Sequence, residues 1–189
     1  MENKFFNFFN PFLNLLNSGK VFRDSVRNLY MLLAGLNVLI PLYTLYQAID
    51  GDITKAEGKI LFIFLMIWAA MAFAGWLGFQ LWWNRRDQVT SVSNDGDQYV
   101  ATPIYAHLTQ TAGECIGAWV ALVGVVFGLL TELFEEARIL AVYTNFTNVG
   151  DGIYGAIYSL IYGFFIVLFA RVIAELLKAI VTMASNSAK

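Results

Sequence analysis

Four stretches of this chain, 28–49, 59–83, 113–133 and 153–177, are apolar over lengths that no soluble domain of this size needs. The hydrocarbon layer of a bilayer is about 30 Å thick, and a helix crosses it with about 20 residues. Inside that layer only helices or closed barrels satisfy their own backbone. The runs are long and lack period-2 alternation, so they predict helices rather than barrel strands. The fold class expected is therefore an all-α integral membrane protein. Its core is a four-transmembrane-helix bundle of two helical hairpins, spanning 20–189, with an N-terminal amphipathic interfacial helix over 1–19. Residues 84–102 form a cytoplasmic loop or small hairpin.

Composition agrees with this reading. Charged residues make up 14% of the 189 positions and apolar ones 58%, with a mean hydropathy of +0.60. A soluble domain carries about 25% charged residues. The net charge of −2 gives no overall attraction to nucleic acid. A single cysteine excludes an intrachain disulfide and a cysteine-based metal site.

Orientation follows from the basic residues. One side of the predicted membrane holds Lys4, Lys20, Arg23, Arg27, Arg85, Arg86, Arg171, Lys178 and Lys189; the other holds only Lys55, Lys59 and Arg138. Positive charge stays on the cytoplasmic side, so both ends of the chain are expected inside. The outer side also carries seven acidic residues, Asp50, Asp52, Glu57, Glu132, Glu135, Glu136 and Asp151. A prokaryotic inner membrane is the expected location, because the chain is compact and shows no targeting sequence.

The first residues read as an interfacial helix rather than a cleavable signal. Asn3, Asn7, Asn10, Asn14 and Asn17 recur at helical spacing, and Phe5, Phe6, Phe8, Phe9 and Phe12 fill the positions between them. Pro11 is expected to kink this helix. Trp82 and Trp83, just before Asn84-Arg85-Arg86, fit an aromatic belt at the inner interface.

Local signals mark the ends of the spans. Thr54-Lys55-Ala56-Glu57 has capping-box spacing. Thr102-Pro103 reads as a cap and first-turn proline for a third helix running to about Arg138, and Asp151 as the cap of the fourth. Gln88–Ser93 and Gln98–Val100 flank Asp95-Gly96 and suggest a small hairpin. Pro41 removes the backbone bond to Asn37 and should bend the first span, while Asn37 is expected to bond across to another helix.

The third span carries small residues at Gly113, Gly117, Ala121, Gly124 and Gly128. The fourth has Gly155, Ser159, Gly163, Ala170 and Ala174, and the second has Ala70, Ala74 and Gly78. Such stripes let helices approach closely in lipid. Three close-contact faces exceed what one bundle needs, so contacts between copies or with other membrane subunits are expected.

Glu114 and Glu132 lie 18 residues apart, five helical turns, and share a face near His107. An ionisable group in a span marks a functional site by default. The functional reading is a cation path through an oligomer; the plainer one places both carboxylates at the two interfaces. Arg171 and Glu175 share a face of the fourth span, and Arg171 is expected to pair with Glu114, Glu175 or both. One histidine and no phosphate loop, zinc signature or nucleophile elbow point away from an enzyme and from any cofactor or metal. The leading function is a scaffold or assembly subunit, contacting lipids, further copies or other membrane proteins through its small-residue faces; the alternative is a subunit of a cation channel or transporter.

Overall fold

All regular structure is helical in the computed structural model, which describes residues 20–91, 100–140 and 151–187. Four helices are long and apolar enough to cross a membrane. They are α1 (Lys20–Asp50), α2 (Gly58–Arg85), α3 (Ala101–Leu133) and α4 (Gly152–Ser187). Each extends beyond the apolar run that predicts it, α4 by ten residues at the basic end. The interfacial helix over 1–19, with Phe5, Phe8, Phe9 and Phe12, lies outside the described residues.

The helices form two antiparallel hairpins, α1–α2 and α3–α4, joined where α2 packs on α3. The bundle is uneven. Both buried clusters belong to α1, α2, α3 and their connecting turns. One gathers Ile63, Phe64, Ile67, Val123 and Phe127 toward the α1–α2 turn. The other gathers Tyr30, Ala34, Trp82, Ile104 and Cys115 toward the opposite end. α4 rests on α3 and makes no comparable contact with α1 or α2.

The α3–α4 seam is where the small-residue stripes meet. A Cβ added to Gly163 would lie 2.5 Å from the Gly117 carbonyl oxygen and 2.9 Å from the Ala121 methyl. One added to Gly128 would lie 2.5 Å from the Ala156 nitrogen. Gly113 abuts Ala170 in the same way. On α2, Ala74 is buried, and Gly75 and Gly78 face Asn37 of α1. The small residues expected to serve contacts between copies are thus taken up inside the chain, because two backbones can close on each other only where both lack bulk.

Asn37 joins three helices. Pro41 has no N–H, so the Asn37 carbonyl loses its usual donor four residues on, and the bare Cα of Gly75 sits against it. The Asn37 amide donates to the Leu33 carbonyl at 2.8 Å. Its Oδ1 accepts the Trp119 indole at 2.8 Å and the Cys115 thiol at 3.4 Å. Trp68 donates to the Pro41 carbonyl at 2.9 Å. The lone cysteine is a buried packing residue that also donates this weak bond.

Several helix ends differ from expectation. The capping box does not form: Ile53–Lys55 is a 3₁₀ turn, and α2 begins after Glu57, whose side chain makes no cap bond. The chain turns instead on Gly51-Asp52, Asp52 adopting a left-handed φ of 60° and pairing with Lys55 at 2.8 Å. α3 starts at Ala101, placing Thr102 inside the helix and Pro103 in its first turn. It stops at Leu133, where Phe134 becomes extended, and Glu135–Leu140 follows as a 3₁₀ helix, so the single helix to Arg138 is not formed. Asp151 pairs with Arg138 at 3.3 Å rather than capping α4. Gln88–Ser91 is a helical turn, which removes the first half of the expected hairpin; 92–99 lies outside the described residues. At the start of α4 a tertiary partner outbids the local signal.

Candidate functional site

The polar side chains of the helices converge at the basic end of the molecule, where α1, α2, α3 and α4 all contribute. Tyr30 of α1 is fully buried. Its ring meets Trp82 edge-on at 4.8 Å and stacks near His107 at 5.8 Å. The Tyr30 hydroxyl is 2.7 Å from His107 Nδ1. His107 Nε2 is 3.4 Å from Gln88 Oε1. A neutral imidazole with its proton on Nε2 satisfies both neighbours, accepting from tyrosine and donating to the amide.

Thr111, one turn along α3, carries the network inward. Its hydroxyl donates to the His107 carbonyl at 2.9 Å and lies 3.3 Å from both Tyr30 Oη and Arg85 Nη1, which donates to it. Arg85, at the end of α2, also donates through Nη2 to Glu114 Oε2. The other carboxylate oxygen, Oε1, accepts Arg171 Nη2 at 2.9 Å, Arg171 Nε at 3.0 Å and Gln110 Nε2 at 3.1 Å. Glu114 is 12% exposed, Arg85 22% and Arg171 54%. One carboxylate is therefore clamped between two guanidiniums. That geometry suits arginine, whose fixed fork of donors fits a carboxylate better than an ammonium does.

At the opposite end of α3, Glu132 has a different task. Its Oε2 accepts the backbone N–H of Ile153 at 3.1 Å, and Thr131 Oγ1 accepts that of Gly152 at 2.9 Å. The end of α3 thus caps the start of α4, satisfying orphan donors and placing a carboxylate at the positive end of the α4 dipole. Gly152 has φ +67°, a conformation that strains any residue with a Cβ, and a Cβ there would push the Glu132 carboxylate off its place. The two anchors match: Glu114 to Glu132 is 18 residues on α3, and Ile153 to Arg171 is 18 on α4.

Of the residues singled out from sequence, Glu114 and Arg171 meet, while Glu132 stands apart at the far end. Glu175 is exposed and forms no ion pair among the described residues. Trp82 is buried against Tyr30 and so is a core residue, not part of an interfacial belt. Trp83 is partly exposed, with the Arg86 guanidinium 3.8 Å over its ring. Sequence reasoning missed Tyr30, Thr111, Arg85 and Gln110. Thr111 and Gln110 had a signal, lying one turn from His107 and Glu114 on the same helix; Tyr30 and Arg85 had none, since they arrive from other helices.

Two open features flank α3. On one side a hollow of about 350 Å³ lies along the end of α2, lined by Gln80, Asn84, Arg85 and Gln88. On the other side an apolar groove of about 640 Å³ runs between α3 and α4, edged by Tyr105, Ala112, Tyr162, Phe165 and Phe169. Among the described residues no group of three or more histidine, cysteine or carboxylate side chains is placed to hold a metal. Outside the spans, the bond from Lys59, 2.7 Å away, holds the Glu136 carboxyl below its ordinary value. No protein-family model, curated protein or solved structure matches this chain.

Proposed function

We propose that this protein is an assembly subunit of a membrane complex, which binds another membrane-spanning helix along the open side of α4. The observation that carries this reading is the outer surface of α4. One face of α4 packs on α3, and the rest is uncovered within the chain. Tyr154, Tyr158 and Tyr162 occupy successive turns there; Tyr158 is 64% exposed and Tyr162 62%. None of the three hydroxyls makes a hydrogen bond among the described residues. Tyr162 lies ten residues from the start of α4, about 15 Å along the axis. That is the middle of a hydrocarbon layer about 30 Å thick. A hydroxyl at that depth is costly without a partner, and a neighbouring helix supplies one.

The small-residue stripes do not carry this reading, because they are used between α3 and α4. The cation-path reading draws no support from the geometry. Glu132 is bonded to the start of α4, and Glu114 is held by two arginines and Gln110. The bias of basic residues toward one side supports a cytoplasmic location for both chain ends. A prokaryotic inner membrane remains the proposed setting.

A photoreactive residue at Tyr158, with a second at the fully buried Tyr30 as control, tests the proposal in native membranes. Position 158 should give a discrete protein adduct and position 30 none. Tyr158→Leu with Tyr162→Leu should shift the complex to lower mass in mild detergent. A clean monomer without adducts at position 158 would refute the reading.

A further inference from the structure

We propose that the basic end, where Arg85 of α2 and Arg171 of α4 meet at Glu114, binds an anionic phosphate group, as carried by an acidic phospholipid headgroup. Four observations converge on it, none involving the tyrosine face of α4.

The first is charge. Arg85 and Arg171 stand there against one carboxylate, Glu114, leaving one positive charge in excess. Lys178 is seven residues beyond Arg171, two turns along the same face of α4. The second is hydrogen-bond capacity. Glu114 already accepts four donors, so its carboxylate is fully occupied. A guanidinium has five N–H donors, and Arg171 spends two of them on Glu114. The rest have no partner among the described residues, and the side chain is half exposed. A phosphate oxygen pair matches such a fork.

The third is shape. Arg85 and Arg171 reach Glu114 from different helices, α2 and α4, which flank α3 without packing on each other. Glu114 lies between them and is also bonded by Gln110. Beside Arg85, the α2 hollow presents Gln80, Asn84 and Gln88, neutral donors suited to the remaining phosphate and glycerol oxygens. Leu77 continues that surface toward the apolar centre, where an acyl chain would run. The fourth is depth. Arg171 lies 19 residues from Gly152, about 28 Å along α4. Counted from the α4 start, that is the far edge of a hydrocarbon layer about 30 Å thick, the level of the headgroup phosphates. Basic clefts between helices at that level recognise acidic headgroups.

Native mass spectrometry of the full chain in mild detergent tests this, with phosphatidylglycerol, phosphatidylcholine and inorganic phosphate as probes. One phosphatidylglycerol should be retained per chain with about tenfold preference over phosphatidylcholine, a difference of about 1.4 kcal/mol. Arg171→Gln should abolish the preference. Gln110→Glu, which keeps both arginines but adds a carboxylate beside Glu114, should abolish it too and covers the case in which Arg171→Gln does not fold. Displacement of the lipid by excess inorganic phosphate would make the phosphate group itself the ligand. A lipid that resists displacement, while still depending on Arg171, would make the whole headgroup the ligand. Equal retention of the two lipids, or a preference that survives either folded variant, overturns the proposal.

Discussion

At Gly163 the α3–α4 seam leaves no room for a methyl group, and the effect of replacing it by alanine follows from the geometry. The added methyl would lie 2.5 Å from the Gly117 carbonyl oxygen and 2.9 Å from the Ala121 methyl. Carbon contacts settle at about 3.5–4.0 Å, so the seam must open by roughly 1 Å. Neither neighbour is the end of a flexible side chain that could swing away. Overpacking of this kind costs up to about 3 kcal/mol. Alanine is the better helix former by about 1 kcal/mol, which offsets part of the loss. The net is a destabilisation of about 2 kcal/mol, or about 4–8 °C in Tm for a chain of this length. Gly35→Ala is the matched control. Nothing lies within 4 Å of a Cβ at Gly35, so only the propensity gain of about 1 kcal/mol applies and Tm should rise by about 2–4 °C. Tryptophan fluorescence during thermal unfolding in mild detergent reads both. The reasoning is refuted if Gly163→Ala is as stable as the parent, or if Gly35→Ala loses as much as Gly163→Ala.

Three further outcomes are expected. Glu114→Gln leaves two guanidiniums facing each other and should cost about 3 kcal/mol, the low end for a mostly buried pair because Arg171 is half exposed; a loss in Tm under 2 °C would show that the clamp is not structural. Thr131→Val removes the acceptor for the Gly152 N–H at an expense of about 1 kcal/mol, and hydrogen exchange should quicken at Gly152 and Ile153 while the middle of α4 is unchanged. Lys59 holds Glu136 ionised below its ordinary range, so their link is at full strength above the unfolded carboxyl value, about 4.3, and weakens as pH falls through the lower folded value. Acidification should therefore loosen Glu135–Leu140 in the parent, and Glu136→Gln should abolish that pH dependence of exchange.

The helical class and the four long spans were legible because a run of apolar residues is a property of the chain alone. So was the shared face of Glu114 and Glu132, which depends only on helical periodicity. What each carboxylate touches was not legible. Glu132 bonds an N–H 21 positions away, and nothing in its neighbours announces that. The glycine stripes were visible, but a stripe does not name its partner, and α3 with α4 consumes what looked like surface for other chains. Trp82 was misplaced because a tryptophan near a span end has the same local signature in a core as in an interfacial belt. The cap expected at Asp151 failed because other partners reached that helix start. Asp151 found Arg138, and α4 found Thr131 and Glu132, before any short-range pattern took effect. α4 reads from sequence like the other spans; its position on α3 alone is a fact of pairing, and that position exposes the surface on which the functional proposal rests.

The matched 18-residue intervals on α3 and α4 have a mechanical consequence. A piston stroke of one helix past the other would tear away the clamp at one end and the cap at the other together, with glycine-on-carbonyl contacts resisting along the whole length between. The second hairpin should therefore travel as a single stiff lever. Whatever movement accompanies partner engagement then falls to the junction between the two hairpins, where Arg85 of α2 holds Thr111 and Asn37 of α1 holds Trp119.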